Sequence, residues 1–234
     1  MKNEQKLSIA INELQTLLKC EHYTIDKSDV KTVELINVCI KDLDPYQMSL
    51  DLGSRKTNLD YVQKEIKWYE SQSRSVYDIP QPIPKIWLQI ANSKGEIHSN
   101  YGHLIFSEEN FSQYDNIKAE LIKNPGSRRA IMIYTRPSMW NDYDDDGMSD
   151  FVCTNYAQCF IRDNKLIYII DQRSADLIFG FLSDFGWHCY VYNRLFVDLR
   201  ESFPELEIGH IDYKINSLHV YERHFECLKN MKLN

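Results

Sequence analysis

The sequence predicts an α+β fold in which one large β-sheet is flanked by helices. Three observations predict it. Helical and strand periodicities are interspersed without a strict βαβ rhythm. Strand-like segments crowd the part of the chain after Asn124-Pro125-Gly126. The 234 residues show no repeat and no low-complexity linker, so residues 1–234 are expected to form a single domain around one core.

The elements follow in order. Residues 4–20 place Leu7, Ile11, Leu14, Leu17 and Leu18 at helical spacing, so they predict an amphipathic helix. Residues 32–40 are β-branched and alternate, as a strand does. Residues 59–72 return to helical spacing, with Val62, Ile66 and Tyr69 on one face and Glu65 close by. Pro80, Pro82 and Pro84 make an extended, stiff connection. Residues 108–123 predict a helix opened by Ser107 as its N-cap. Strands are expected at 130–135, 152–161 and 166–171, with Asp163-Asn164 turning a hairpin between the last two. Residues 176–199 are apolar and aromatic enough for a buried helix, and 208–218 form a final strand.

Composition narrows the function. Hydrophobic residues make up 43% and charged residues 26%, as in a soluble globular protein. No apolar run has the length of a membrane span, and Met1 to Lys6 is polar with no signal-like stretch behind it. A cytoplasmic protein without membrane contact is the expectation. The formal charge of -7 argues against a nucleic-acid polymer as partner. It leaves room for a nucleotide monomer, since clustered arginines can hold one phosphate. The cysteines at 20, 39, 153, 159, 189 and 227 have neither disulfide nor zinc spacing, and most are expected to be buried small hydrophobes. Asp142, Asp144, Asp146 and Gly147 imitate the start of a calcium loop, but Cys153 stands where that loop needs a bidentate Glu. No metal site is expected.

Four groups carry candidate chemistry. Arg128 and Arg129 precede a strand and can present two guanidinium forks to a phosphate. Arg173 and Ser174 follow another strand and add a third guanidinium and a hydroxyl. Cys153 has no local His as base, so its activation would need positive charge nearby, with Arg173 the obvious source. His219 and Tyr221, two residues apart on a strand, would project to one face.

Taken together these segments resemble the thymidylate synthase family. The order Ser127-Arg128-Arg129, then Cys153, then Gln172-Arg173-Ser174-Ala175-Asp176, then Gly180 and Asp184, then His219-Val220-Tyr221 is the family's order. The resemblance extends upstream to Lys64–Trp68, Ile86-Trp87 and Asn100-Tyr101-Gly102. Residues 134–139, 146–151, 217–221, 84–87 and 93–97 look like the branch, found in phages, that hydroxymethylates deoxycytidylate.

The resemblance implies a large mixed β-sheet at a homodimer interface. It implies dCMP as substrate and 5,10-methylenetetrahydrofolate as co-substrate. Cys153 would attack carbon 6 of the pyrimidine. Arg173 and Ser174 would hold the phosphate, joined by Arg128 and Arg129 from the partner subunit and by Lys27, with Lys31 its rival. His219 and Tyr221 would bind the deoxyribose. Asp176 would bond the pterin, with Trp87 and Gly180 lining the folate pocket. Glu65 would order water and move protons. Other phage nucleotide-synthesis enzymes are candidate partners.

The chain departs from synthases in three places. It has Val152-Cys153-Thr154 where they carry Pro-Cys-His. It is expected to lack a counterpart of their closing C-terminal segment, since it stops soon after Phe225, which suits the entry of water. It has Asp184 where they carry Asn. Cytosine presents an amino donor and an N3 acceptor, which a carboxyl sharing one proton can match. Uracil presents the reverse, so Asp184 points to cytosine. The alternatives are a dUMP or CMP hydroxymethylase, a thymidylate synthase, or a non-catalytic homodimer that binds nucleotide or RNA.

Overall fold

The computed structural model describes residues 1–232. Along the chain run α1 (Asn3–Lys6), α2 (Ser8–Lys19), β1 (Thr24–Ile25), β2 (Lys31–Leu43), α3 (Leu59–Ser71), α4 (Lys85–Ile90), α5 (Tyr101–Phe106) and α6 (Gln113–Lys123). Then come β3 (Ile131–Ile133), α7 (Met139–Asp142), β4 (Thr154–Arg162), β5 (Lys165–Gln172), β6 (Ala175–Asp176), α8 (Gly180–Arg200), β7 (Glu207–Tyr221) and α9 (Phe225–Lys229).

The strands make a 7-stranded sheet in the order β1-β2-β7-β5-β4-β3, with β6 also on β7. β7 is its spine. On one side it pairs antiparallel with β2, from Thr32↔Tyr221 to Leu43↔Ile211. On the other it takes β5 in parallel and then β6, where Asp176 lies opposite His219. The remaining pairs are antiparallel. Asp163 and Asn164 do turn the β4–β5 hairpin, both with positive φ (48° and 60°), a backbone that Asp and Asn tolerate.

Alternation along β4, β5 and β7 sorts the two faces. Ala157, Cys159, Leu166, Tyr168, Ile170, Ile211, Tyr213 and Ile215 are fully buried. Phe181, Phe185, Cys189, Tyr192 and Leu195 of α8 belong to the same core. Their alternates Tyr156, Gln158, Ile167, Ile169, Asp212 and Lys214 are only half-buried. On this second face Asp171 is covered by Lys214 Nζ at 2.8 Å and by the amide of Asn155 at 2.6 Å.

Helix α3 is gripped from two sides. Asn58 caps it by accepting from the Tyr61 N–H at 3.1 Å, and its buried stripe is Val62, Glu65, Trp68 and Tyr69. A Cβ at Gly102 of α5 would stand 1.8 Å from the Tyr69 carbonyl oxygen. A Cβ at Gly186 of α8 would stand 2.6 Å from Val62. Two missing side chains therefore let α5 and α8 close onto α3, the helix that carries Glu65.

Several boundaries differ from expectation. The first helix breaks at Leu7 into α1 and α2. Ser107 caps a 3-10 turn (Glu108–Asn110), accepting from Asn110 N–H at 3.2 Å. Phe111 and Ser112 then adopt left-handed backbone (φ 63° and 44°), and the α-helix starts only at Gln113. Residues 175–176 are strand, so the long buried helix opens at Gly180. Cys153 lies just before β4 rather than within it, whereas Arg128 and Arg129 lie in the loop before a strand, β3, as expected. Among the described residues, no helix is long and apolar enough to cross a membrane.

Candidate active site

The loop carrying Cys153 is pinned from both ends. Upstream, the buried Asp150 carboxylate accepts the backbone N–H groups of His98 and Ser99, each at 2.8 Å. Downstream, Arg173 N–H reaches the Cys153 carbonyl at 2.8 Å. The Arg173 guanidinium spans the loop, with Nε on Val152 O (2.8 Å) and Nη2 on Phe151 O (2.7 Å) and on Cys153 Sγ (3.5 Å). The arginine therefore sits where the sequence reading needs it. It does not win the electrostatic contest. Burial pushes the thiol up to about 11; Arg173 pulls it down, while Asp184 and Asp150 push it further up.

One residue before Arg173, the buried Gln172 links the thiol's neighbourhood to Asp184. Its Nε2 donates to Asp184 Oδ2, and its Oε1 accepts from the Tyr213 hydroxyl at 2.6 Å. Asp184 stands on the first turns of α8, half-buried. Burial raises its carboxyl to about 7, against the Gln172 and Tyr101 hydrogen bonds that favour the charged form. A carboxyl poised there can share a proton with a ring nitrogen at physiological pH.

Glu65 is a carboxyl in the buried stripe of α3. Burial lifts it to about 8 and Asp184 adds to the lift; bonds from Tyr61 and Trp87 oppose it. The Tyr61 hydroxyl donates to Glu65 Oε1 and accepts from the Trp87 indole N–H at 3.2 Å. Trp87, half-buried on α4, packs edge-on against Trp68 with ring centroids 5.0 Å apart. Cys153, Arg173, Asp184 and Glu65 thus form one electrostatically coupled group.

A second group adjoins it. Asp176 accepts from Ile178 N–H at 3.0 Å, and burial raises its carboxyl against the pull of His219, His224 and Arg223. His219 and Tyr221 do share a face, with rings 4.9 Å apart. The Tyr221 phenol is raised mainly by burial and also by Asp176 and Cys153, which ties this group to the thiol. Gly180 has open space where a Cβ would project. Ser174 is half-buried beside Arg173, with no side-chain hydrogen bond among the described residues.

Three predicted residues are exposed rather than packed into either group. Arg128 and Arg129 are exposed and line a shallow surface depression with Glu120, Lys123 and Ser127. Lys27 is exposed in the β1–β2 turn. Sequence reasoning also missed Tyr61 and Tyr213, and it gave no role to Gln172 and Tyr101, which it named only within motifs. Tyr61 had a usable signal, because it stands one helical turn before Glu65. The others are polar groups on core elements, and only their neighbours reveal them. Among the described residues, Asp42, His210 and Asp212 are the group able to gather around a metal ion. Asp212 Oδ1 already accepts Asp42 N–H at 2.9 Å and lies 3.7 Å from His210 Nε2, and none of the three belongs to the group around Cys153.

A sequence profile of thymidylate synthase matches residues 11–233. The chain belongs to the thymidylate synthase family. Within this family it is 48% identical over 210 residues to the deoxycytidylate 5-hydroxymethyltransferase of Enterobacteria phage T6, covering 89% of this chain and 83% of that one. The phage T4 enzyme of the same name matches to the same extent. Thymidylate synthase of Bacillus subtilis subsp. natto is 29% identical over 185 residues, covering 76% of this chain and 63% of that one.

The raised carboxyls of this family member have a stability signature. Glu65 holds its proton more tightly in the folded than in the unfolded chain. Its contribution is full below about pH 4.5 and is lost as pH rises through about 8. Glu65→Gln removes that loss. The variant should unfold in urea later than the parent at pH 8, by on the order of 3 kcal/mol, and together with it near pH 4.

Proposed function

We propose that this chain transfers a one-carbon unit to carbon 5 of dCMP and adds water to it, giving 5-hydroxymethyl-dCMP. The observation that carries the reading is Asp184, a carboxyl raised to about 7 that is coupled to the Cys153 thiol, in a chain whose relatives include deoxycytidylate hydroxymethyltransferases. A carboxyl that accepts from the cytosine amino group and shares its proton with N3 satisfies both edges of that base.

The steps follow from the residues. The Cys153 sulfur bonds to carbon 6, which makes carbon 5 nucleophilic. The thiol gives up its proton to solvent as it adds, and Arg173 stabilises the developing thiolate. Carbon 5 bonds to the methylene carbon of the co-substrate 5,10-methylenetetrahydrofolate, then gives up its own proton, and an exocyclic C5=CH₂ double bond forms as tetrahydrofolate leaves with a proton gained. Trp87, the free oxygen of Asp176 and the open space at Gly180 suit such a flat, hydrogen-bonding ring. Glu65 takes the proton of the attacking water, and Cys153 departs as carbons 5 and 6 regain their double bond. Arg173 and Ser174 hold the phosphate, with Lys27 at the rim, and His219 and Tyr221 hold the deoxyribose. Residues 1–234 act as one catalytic domain.

The working unit in this reading is a homodimer joined through the half-buried sheet face. Arg128 and Arg129, free in one chain, then complete the partner's phosphate site. A mixing experiment tests this. Cys153→Ala and the double variant Arg128→Ala/Arg129→Ala should each be inactive alone. Co-refolded, they should regain about a quarter of the parental activity, because only one site of each hybrid is intact. No recovery would place the arginines in their own subunit's site or outside the reaction.

The nearest alternatives are a dUMP or CMP hydroxymethylase and a thymidylate synthase. Incubation with each nucleotide and methylenetetrahydrofolate separates them, because methylation oxidises the folate to dihydrofolate and hydroxymethylation does not. The account expects turnover with dCMP and no dihydrofolate absorbance. Titration with dCMP, with and without folate, tests the remaining alternative, a non-catalytic nucleotide or RNA binder.

A further inference from the structure

Tyr61 has no role in the steps above, yet its hydroxyl bridges Trp87 and Glu65. The direction of that bridge is fixed by chemistry. An indole N–H can only donate, so the Tyr61 oxygen accepts from Trp87 and its single proton is left for Glu65 Oε1. The geometry is built in locally. Asn58 caps α3 at the Tyr61 N–H, and Tyr61 and Glu65 stand one turn apart on the same side. Burial raises the Tyr61 phenol far above its ordinary value, so it stays a donor.

We propose that Tyr61 is a positioning residue for the water-addition step: oriented by Trp87, it pins one oxygen of Glu65 and leaves the other to take the water's proton. The proposal rests on the function assigned above. In that step the water oxygen bonds to the exocyclic carbon and its proton passes to Glu65. The exocyclic double bond's electron pair moves to carbon 5, the C5=C6 bond re-forms, and the C6–S bond breaks to give the Cys153 thiolate.

The groups facing Glu65 act in opposite senses. Asp184 from α8 and burial disfavour its charged form; Tyr61 from α3 and Trp87 from α4 favour it. Tyr69, also on α3, is a neutral phenol. Removing the Tyr61 hydroxyl leaves Asp184 and burial opposed by Trp87 alone.

The test is Tyr61→Phe with two readouts. The first is the titration of Glu65 in the enzyme without ligands, followed by infrared difference spectra of its carboxyl C=O band, with Glu65→Gln to identify the band. The midpoint should rise by about one pH unit, the loss of one hydrogen bond to a charged group. The second is the pH profile of kcat for hydroxymethylation. Its acid limb should move alkaline by the same interval, with KM for dCMP within about twofold of the parent. Fluorotyrosine at position 61, a stronger donor, should shift both midpoints the other way, and it serves if the phenylalanine variant folds poorly. Midpoints and limbs that coincide with the parent's in both variants would overturn the proposal. The infrared result does not depend on turnover, so a parent enzyme that makes no 5-hydroxymethyl-dCMP would sink the assigned function and leave the effect of Tyr61 on Glu65 measurable.

Discussion

Cys153→Ala should lower hydroxymethylation of dCMP by about 10⁴-fold or more while dCMP still binds with nearly parental affinity. The reason is the division of labour in the site. In the proposed reading, phosphate and sugar are held by Arg173, Ser174, His219 and Tyr221, which the substitution leaves in place. The proposed reading assigns the bond to carbon 6 to the Cys153 sulfur, and losing a nucleophile removes the whole covalent route. Cys153→Ser is the stricter version, because it keeps a hydroxyl of similar size beside Arg173 and should be nearly as inactive. Steady-state product formation measures the loss, and calorimetric titration with dCMP measures the retained affinity. A variant with turnover near the parent's would refute covalent catalysis outright.

Asp184→Asn should reverse the choice of base. The parent carboxyl, lifted to about 7 by burial, offers cytosine an acceptor and one proton. Facing uracil, its ionised form meets O4 with another acceptor, and burial makes that mismatch costly. An Asn amide presents a donor to O4 and an acceptor to N3–H. The ratio of kcat/KM for dCMP over dUMP should therefore fall by on the order of 10⁴-fold, as in sites that discriminate by hydrogen-bonding pattern. Gln172 shapes the outcome, because its Nε2 faces Asp184 and its Oε1 is held by Tyr213. The amide that replaces the carboxyl must accept from Gln172 with its oxygen, which turns its NH₂ toward the base. Competition between the two nucleotides in one reaction, with both products quantified, measures the ratio. An unchanged preference would remove Asp184 from base recognition.

The sheet and most of the site were legible in the sequence because they rest on long elements or on an ordered motif. The β4–β5 hairpin shows in Asp163-Asn164, and α8 shows in a run of apolar and aromatic residues long enough for a helix. Helices α4 and α5 were not legible, since each is under two turns and offers no periodicity to read. The clue to α5 was Asn100, whose side chain accepts from His103 N–H at 2.8 Å. Ser107 misled because the two left-handed residues after its turn, Phe111 and Ser112, are neither Gly nor Asn. The surroundings of the thiol were legible only in part. Arg173 is where the sequence implied, but local motifs carry no information on burial, which pushes the Cys153 thiol up while Arg173 pulls it down. Arg128 and Arg129 were legible as a pair of adjacent guanidiniums, yet within one chain they lie exposed on a surface depression. The phosphate role proposed for them requires a second copy.

The most direct test of the central claim is the source of one oxygen atom. The enzyme should be run with dCMP and 5,10-methylenetetrahydrofolate in water enriched in oxygen-18, and the nucleotide product weighed by mass spectrometry. The account predicts 5-hydroxymethyl-dCMP carrying the heavy oxygen on its new carbon. A 5-methyl product, an unlabelled hydroxymethyl group, or product formed from dUMP in place of dCMP would contradict it.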